Sequence, residues 1–293
     1  MGKNWNKALY SHLQEWLNFQ LGNIQTRPNK LTPQEIETLH RFKQSLKNRR
    51  ANLLKIHASV HPYRIQKHGK QENISYRLVC SRLFKIREKY HLEEHILNRL
   101  AKSHDGHIVI DKILPEETAK EPTMDMFPNE ENRTFDYDRR AAVQYAERWW
   151  NDYNPVYRKF TNNCTNFISQ CLRAGKAPMR GIPDRGKGWW YGKSSWSYSW
   201  AVAHSFRWYL SGSTNGLTAA EAESANDLGL GDIICYDFNG DGNWQHTTIV
   251  TGFDGNKEPL VNAQTENSRS RYWKYEDSTA WTPNIKYKFF RIG

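Results

Sequence analysis

One cysteine of this chain stands where a thiol can be activated. In the run Asn162-Asn163-Cys164-Thr165-Asn166-Phe167-Ile168-Ser169-Gln170-Cys171-Leu172, apolar side chains fall at 164, 167, 168, 171 and 172. That is the spacing of a helix with one buried face. Asn162 or Asn163 can cap it, since a short polar side chain accepts hydrogen bonds from the free N–H groups of the first turn. Cys164 then lies in that turn, where the helix dipole and the unpaired N–H groups favour the thiolate, the nucleophilic form. A buried structural cysteine, behaving as a small apolar side chain, fits the same run.

A second run weighs toward chemistry. Leu230-Gly231-Asp232-Ile233-Ile234-Cys235-Tyr236-Asp237 reads as a strand and Phe238 to Gln245 as a turn. His246-Thr247-Thr248-Ile249-Val250-Thr251-Gly252 reads as a strand that begins with its histidine, and Leu260-Val261-Asn262-Ala263-Gln264 as the next one. A cysteine at a helix start, a histidine at a strand start and a polar residue on the following strand are the components of a thiol hydrolase of papain-like logic. The cysteine attacks, the histidine takes and returns the proton, and the third residue fixes the imidazole tautomer. Backbone N–H groups at the start of the Cys164 helix would hold the oxyanion. Taken alone, His246 would read as an ordinary exposed or core histidine. Asp237-Phe238-Asn239-Gly240-Asp241-Gly242 imitates the first half of an EF-hand loop, but Thr248 stands where the bidentate Glu belongs, so the run reads as a hairpin turn and no metal is expected.

The elements that must carry these residues follow from periodicity. Trp5, Leu9, Leu13, Trp16, Leu17 and Leu21 trace a helical stripe that Gly22 ends. Thr32-Pro33 opens a second helix, running to Arg49 or Arg50. Alternating runs follow around 53–60, 74–90, 91–102 and 106–110, an antiparallel sheet of about four strands whose lengths call for bulges. Residues 116–134 read as a linker. A helix opens near Tyr137 and ends before Pro155, and another is expected around 199–210. The domains are therefore residues 1–115, a basic helical and curved-sheet unit, and residues 135–293, which hold the chemistry.

Composition bounds the partners. Residues 1–104 carry 20 Lys and Arg against 7 Asp and Glu, while residues 105–293 carry 22 against 24, so the N-terminal part holds the whole excess of the +11 net charge. An anionic polymer partner or a merely well-solvated basic surface accounts for it. The four cysteines have no metal-type spacing and fit a reducing compartment. No apolar signal segment or membrane-length span is found, so a cytoplasmic protein is expected, with non-classical export or release as the alternative. Most of the twelve Trp lie after residue 148. They form either an aromatic core or a cleft, and Trp189, Trp190, Trp196 and Trp200 are the candidate cleft walls, with Asn163 as a further substrate-binding candidate.

Residues 135–290 resemble the putative amidase domain family, related to the NlpC- and CHAP-type cell-wall peptidases. The segments that carry the resemblance are "YDRRAAVQYAERWWNDYNPVYRKF", "NNCTNFISQCLRAG", "SYSW" and "GDIICYDFNGDGNWQHTTIVTGFD". The resemblance implies a papain-like α+β fold with Cys164 as nucleophile, His246 as general base and acid, and peptidoglycan-type peptide as substrate, without a cofactor. Acyl transfer on the same pair, or a non-catalytic binding protein of papain-like fold, are the alternatives. The family often has Asp before the cysteine, where this chain has Asn163. A family "NAHT" segment stands here as "NAQT", so the third catalytic position lies between Asn262 and Gln264, which alternate onto one strand face. The region in front of this domain loosely resembles a SnoaL-like cone.

Overall fold

The structure is a computed structural model, and it describes residues 4–23, 30–114 and 136–293. The linker expected at 116–134 lies outside the described residues. The chain forms two compact units: residues 1–115 together with Lys274–Thr279, and residues 116–273 together with Ala280–Gly293. The class is mixed α and β, with antiparallel strand pairing throughout. Among the described residues no helix is long and apolar enough to cross a membrane.

In the N-terminal unit, α1 (Asn4–Leu21) and α2 (Pro33–Arg49) precede β1 (Ala51–His68), β2 (Gln71–Ile86), β3 (Lys89–His104) and β4 (His107–Ile113), which pair in sequence order. Thr32 closes a capping box with Glu35 at the start of α2, satisfying two end groups at once. The α1 stripe of Trp5, Leu9, Leu13, Trp16 and Phe19 is buried on Ile74, Tyr76, Leu78, Ala101 and Ile108. Below it, the carboxylate of Asp111 receives Tyr76 Oη at 2.7 Å and Arg99 Nε at 3.1 Å, with His12 Nε2 at 3.2 Å. Arg99 also reaches Glu35 at 2.8 Å, so one buried charge network joins both helices to three strands. The ladder slips at Leu53/Lys55, Pro62/Arg64 and Lys102/Ser103, the irregularities that such long strands require. The alternation over 74–90 is broken where β2 turns into β3 at Arg87-Glu88. Arg87 takes a left-handed φ of 52°, and no glycine marks the turn.

The six residues Lys274–Thr279 belong to this unit although they lie far along the chain. Arg41 donates to Ser278 O at 2.9 Å and Glu276 O at 3.2 Å, Gln34 donates to Thr279 O at 2.8 Å, and Ser45 donates to the Glu276 carboxylate. The sequence boundary, which gave everything after 135 to one domain, therefore differs from the compact units at this segment.

In the C-terminal unit, α3 (Arg139–Trp149), α4 (Cys164–Ala174), α5 (Tyr198–Ala201) and α6 (Ala203–Gly212) accompany β5 (Ala219–Ala222), β6 (Ile233–Asp237), β7 (His246–Phe253), β8 (Pro259–Ala263), β9 (Ser268–Tyr272) and β10 (Lys286–Ile292). Strand order is β9-β8-β7-β6-β10-β5. The helix expected at 199–210 is two pieces, because Val202 takes an extended φ of −117° between them. Asp232 explains why a Gly-Asp pair opens β6. Its carboxylate accepts from Arg139 of α3 at 2.5 Å, from Ile292 N of β10 at 3.0 Å and from Gly229 N at 2.7 Å. Gly231 adopts φ 83°, and a side chain there would meet Tyr137 Oη at 3.0 Å.

Candidate active site

Cys164 is the first residue of α4, and nine consecutive residues of that helix, Cys164 to Leu172, are buried. The helix lies on β7, where Thr165 Oγ1 and Thr247 Oγ1 meet at 3.2 Å. The polar neighbours of the sulfur are Thr165 Oγ1 at 3.8 Å and the carbonyl of Gln245 at 4.0 Å. Gln245 directly precedes His246, so the thiol sits against the start of the histidine strand.

The imidazole itself points elsewhere. Thr247 faces α4, and strand pleating sends its neighbour His246 to the other face of the sheet. There the ring lies 5.5 Å from that of Tyr236, its ladder partner, and 6.0 Å from that of Phe238. Burial pushes the His246 pKa down to about 3, and the charge of Arg271 adds to the shift, so the ring is neutral at neutral pH.

Asn262 lies on β8 and Gln264 in the turn directly after it, and each is committed to other partners. Asn262 Nδ2 donates to Glu147 at 2.8 Å, and its Oδ1 accepts from Thr251 Oγ1 at 2.9 Å and Ser270 N at 2.8 Å. Gln264 Nε2 donates to the α3 carbonyl of Trp149 at 2.6 Å and to Asp152 O at 2.8 Å, and its Oε1 accepts from Asn163 Nδ2 at 2.5 Å. Neither amide is placed as the imidazole partner here: Asn262 ties β8 to α3, and Gln264 positions the residue before the cysteine.

Asn163 does not cap α4 with its side chain. Its Oδ1 accepts from Phe160 N at 2.8 Å and Asn166 Nδ2 at 3.0 Å, and the residue, 1% exposed, braces the helix start from inside. The cap comes from another element. Thr265, in the β8–β9 turn, accepts through Oγ1 from Asn163 N at 3.0 Å and from Cys164 N at 3.2 Å. The N–H expected to hold an oxyanion is thus already taken, because a buried helix-end donor must find a partner. Nothing local in sequence announces Thr265; it lies 101 residues from Cys164.

The tryptophan walls are mostly core. Trp189, Trp190 and Trp200 are 0%, 2% and 0% exposed, and each indole N–H is spent inside: on Ser169 Oγ, on the carbonyls of Asp184 and Lys187, and on Asn166 Oδ1. Trp196 differs. It is half-buried, edge-on to Phe160 with centroids 4.9 Å apart, and flanked by the guanidiniums of Arg158 and Arg185. A surface depression of about 400 Å³ lies against α6, lined by Arg180, Lys187, Trp208, Tyr209 and Asn215 among others, and holds none of the expected site residues.

The sequence of residues 136–290 matches the family described as Putative amidase domain. The chain belongs to that family. A similar Bacillus subtilis (strain 168) protein named Uncharacterized protein YhbB is 48% identical over 276 residues, covering 88% of this chain and 86% of that one. A second from the same strain, Uncharacterized protein YjcM, is 31% identical over 123 residues, which span 39% of this chain and 28% of that protein. No solved structure matches. The family region opens beside Tyr137 and Arg139, which hold the start of α3 against Gly231 O at 2.8 Å and Leu230 O at 2.9 Å. In this member the EF-hand-like run is a hairpin turn, with Asp237 accepting from Gly240 N at 2.8 Å and Gly242 N at 2.7 Å.

Proposed function

We propose that the C-terminal unit is a cysteine-dependent amide hydrolase of papain-like logic, with Cys164 as nucleophile and His246 as its proton acceptor. The observation that carries this reading is the seating of the Cys164 sulfur, on the first residue of a buried helix, 4.0 Å from the carbonyl that precedes His246. Membership of an amidase family supports an amide as the bond cleaved. The thiol adds to the amide carbonyl, the amine leaves with the proton the imidazole returns, and water then releases the acid from the thioester. The reading requires the imidazole to swing around the end of β7, where His246 is the last residue paired with β6. A papain-like fold and peptidoglycan-type peptide as substrate remain part of this proposal. So do a SnoaL-like cone in front and an anionic polymer as partner of the basic N-terminal unit.

The burial of Cys164 at 3% and His246 at 7% exposure favours a second reading, a binding module that has kept the fold without turnover. One experiment separates the two. The protein and its Cys164→Ala and His246→Ala forms are incubated with purified wall fragments and with simple peptide amides, with and without added amine, and product masses are read. The enzyme reading expects release that falls at least ~10³-fold in both variants, with amine adducts appearing only if the thioester also transfers. An electrophilic thiol probe should label Cys164 ahead of Cys80, Cys171 and Cys235. Turnover unaffected by Cys164→Ala overturns the assignment of the nucleophile. No turnover and no native-state labelling leaves the binding module.

A further inference from the structure

The N-terminal unit contains a second cluster of titratable groups, unrelated to the candidate active site. Strand alternation puts His91, Glu93 and His95 of β3 on one face. The borrowed segment Lys274–Thr279 brings Asp277 to the same place. One ligand atom from each of Glu93, His95 and Asp277 lies within 4.8 Å of the others. The side chains of His91, Glu93 and His95 are 9%, 3% and 7% exposed, and that of Asp277 is 14% exposed.

The spacing of Glu93 from its two histidines is the second observation. His91 Nε2 stands 3.6 Å from Glu93 Oε1, and His95 Nε2 stands 3.8 Å from Glu93 Oε2. Both separations exceed an N–H···O hydrogen bond. They approach the spacing of about 3.4 Å expected for two ligand atoms each about 2.1 Å from one tetrahedral ion. Among the described residues, neither ring nitrogen of His91 nor Oε1 of Glu93 has a hydrogen-bond partner, although all three atoms are buried. The His91 ring is held in place by stacking on Phe84, with centroids 5.2 Å apart and planes 17° from parallel.

We propose that Glu93, His95 and Asp277, with His91 beside them, form a site for one divalent transition-metal ion. Imidazole nitrogen with carboxylate oxygen suits Zn²⁺, with Co²⁺ as its spectroscopic substitute. Arg82 Nη1 lies 3.3 Å from Asp277 Oδ2 and Arg49 Nη1 lies 4.0 Å from Glu93 Oε1. These guanidiniums place positive charge beside both carboxylates and orient them, as outer partners of ligands do. They also offset the negative charge of the site, which lowers its affinity for a cation. The ion would fasten Asp277 to β3, a role in the integrity of this unit and not in amide cleavage.

The test uses the full chain, stripped with chelator and dialysed. Co²⁺ titration is expected to give visible d–d bands that saturate at one equivalent, and Zn²⁺ to displace them and raise the melting temperature. His95→Gln and Asp277→Asn should each weaken Co²⁺ binding at least tenfold, whereas replacing the exposed His68 by Gln should leave it unchanged. Asp277 is the more exposed position, so its variant serves if His95→Gln fails to fold. Absent bands with no Zn²⁺-dependent melting shift overturn the proposal, as does binding unaffected by both variants. In either case the cluster is closed by its arginines alone.

Discussion

A histidine with a pKa near 3 is a poor base for a thiol of ordinary pKa about 8.5, because the proton transfer runs uphill by several pK units. His246 in the described conformation, sealed between aromatic rings with the Arg271 charge adding to the shift, is therefore a resting imidazole. Contact with a thiolate or with water would raise its pKa, so catalysis and the swing around the strand end are one requirement. The same depressed pKa bears on stability. Below about pH 6.5 the unfolded chain gains a proton on this ring that the folded chain refuses until about pH 3. Its contribution is thus complete above pH 6.5 and is lost as pH falls toward 3. His246→Gln should lessen the acid-induced drop in urea midpoint between pH 6.5 and pH 4, relative to the parent protein. Equal drops in the two proteins would show that the ring is not what titrates there.

At the scale of elements, the start of α4 depends on a turn that is distant in sequence. Thr265 is β-branched yet adopts φ 93°, a left-handed backbone that costs roughly 1–3 kcal/mol. Its hydroxyl offsets that cost by accepting both N–H groups at the head of the cysteine helix. Thr265→Val keeps the volume and removes the acceptor, so it should cost about 1–2 kcal/mol in urea unfolding and slow thiol labelling less than it lowers stability. A loss below a few tenths would mean that water replaces the hydroxyl. The helix itself was legible, since periodicity alone places Cys164 in its first turn. The four N-terminal strands and the Thr32 cap were equally legible, because alternation and capping are local rules. What escaped was non-local. A cap borrowed from Thr265, the commitment of Asn262 to Glu147, and the disappearance of Trp189, Trp190 and Trp200 into the core all depend on which elements meet. The face on which His246 lies escaped for a related reason: pleating fixes it only once Thr247 is seen to meet Thr165.

At the scale of the molecule, the two units do not partition the chain cleanly. The chain leaves the C-terminal unit after Trp273, gives six residues to the N-terminal one, and returns at Ala280. A fragment of residues 136–293 holds Cys164 and His246, yet leaves this segment without Arg41, Gln34 and Arg82. Trypsin should cut after Lys274 in that fragment and not in the full chain under the same native conditions. Equal protection in both would show that the segment is ordered by its own side of the chain. The return path also fixes an order of events during synthesis. The helices and strands of the N-terminal unit leave the ribosome before Lys274–Thr279, so Arg82 meets Asp277 and Ser45 meets Glu276 only after residue 279 has emerged. The intervening residues 116–273 must therefore be made while this unit waits unfinished, with buried polar groups exposed to other chains in the meantime.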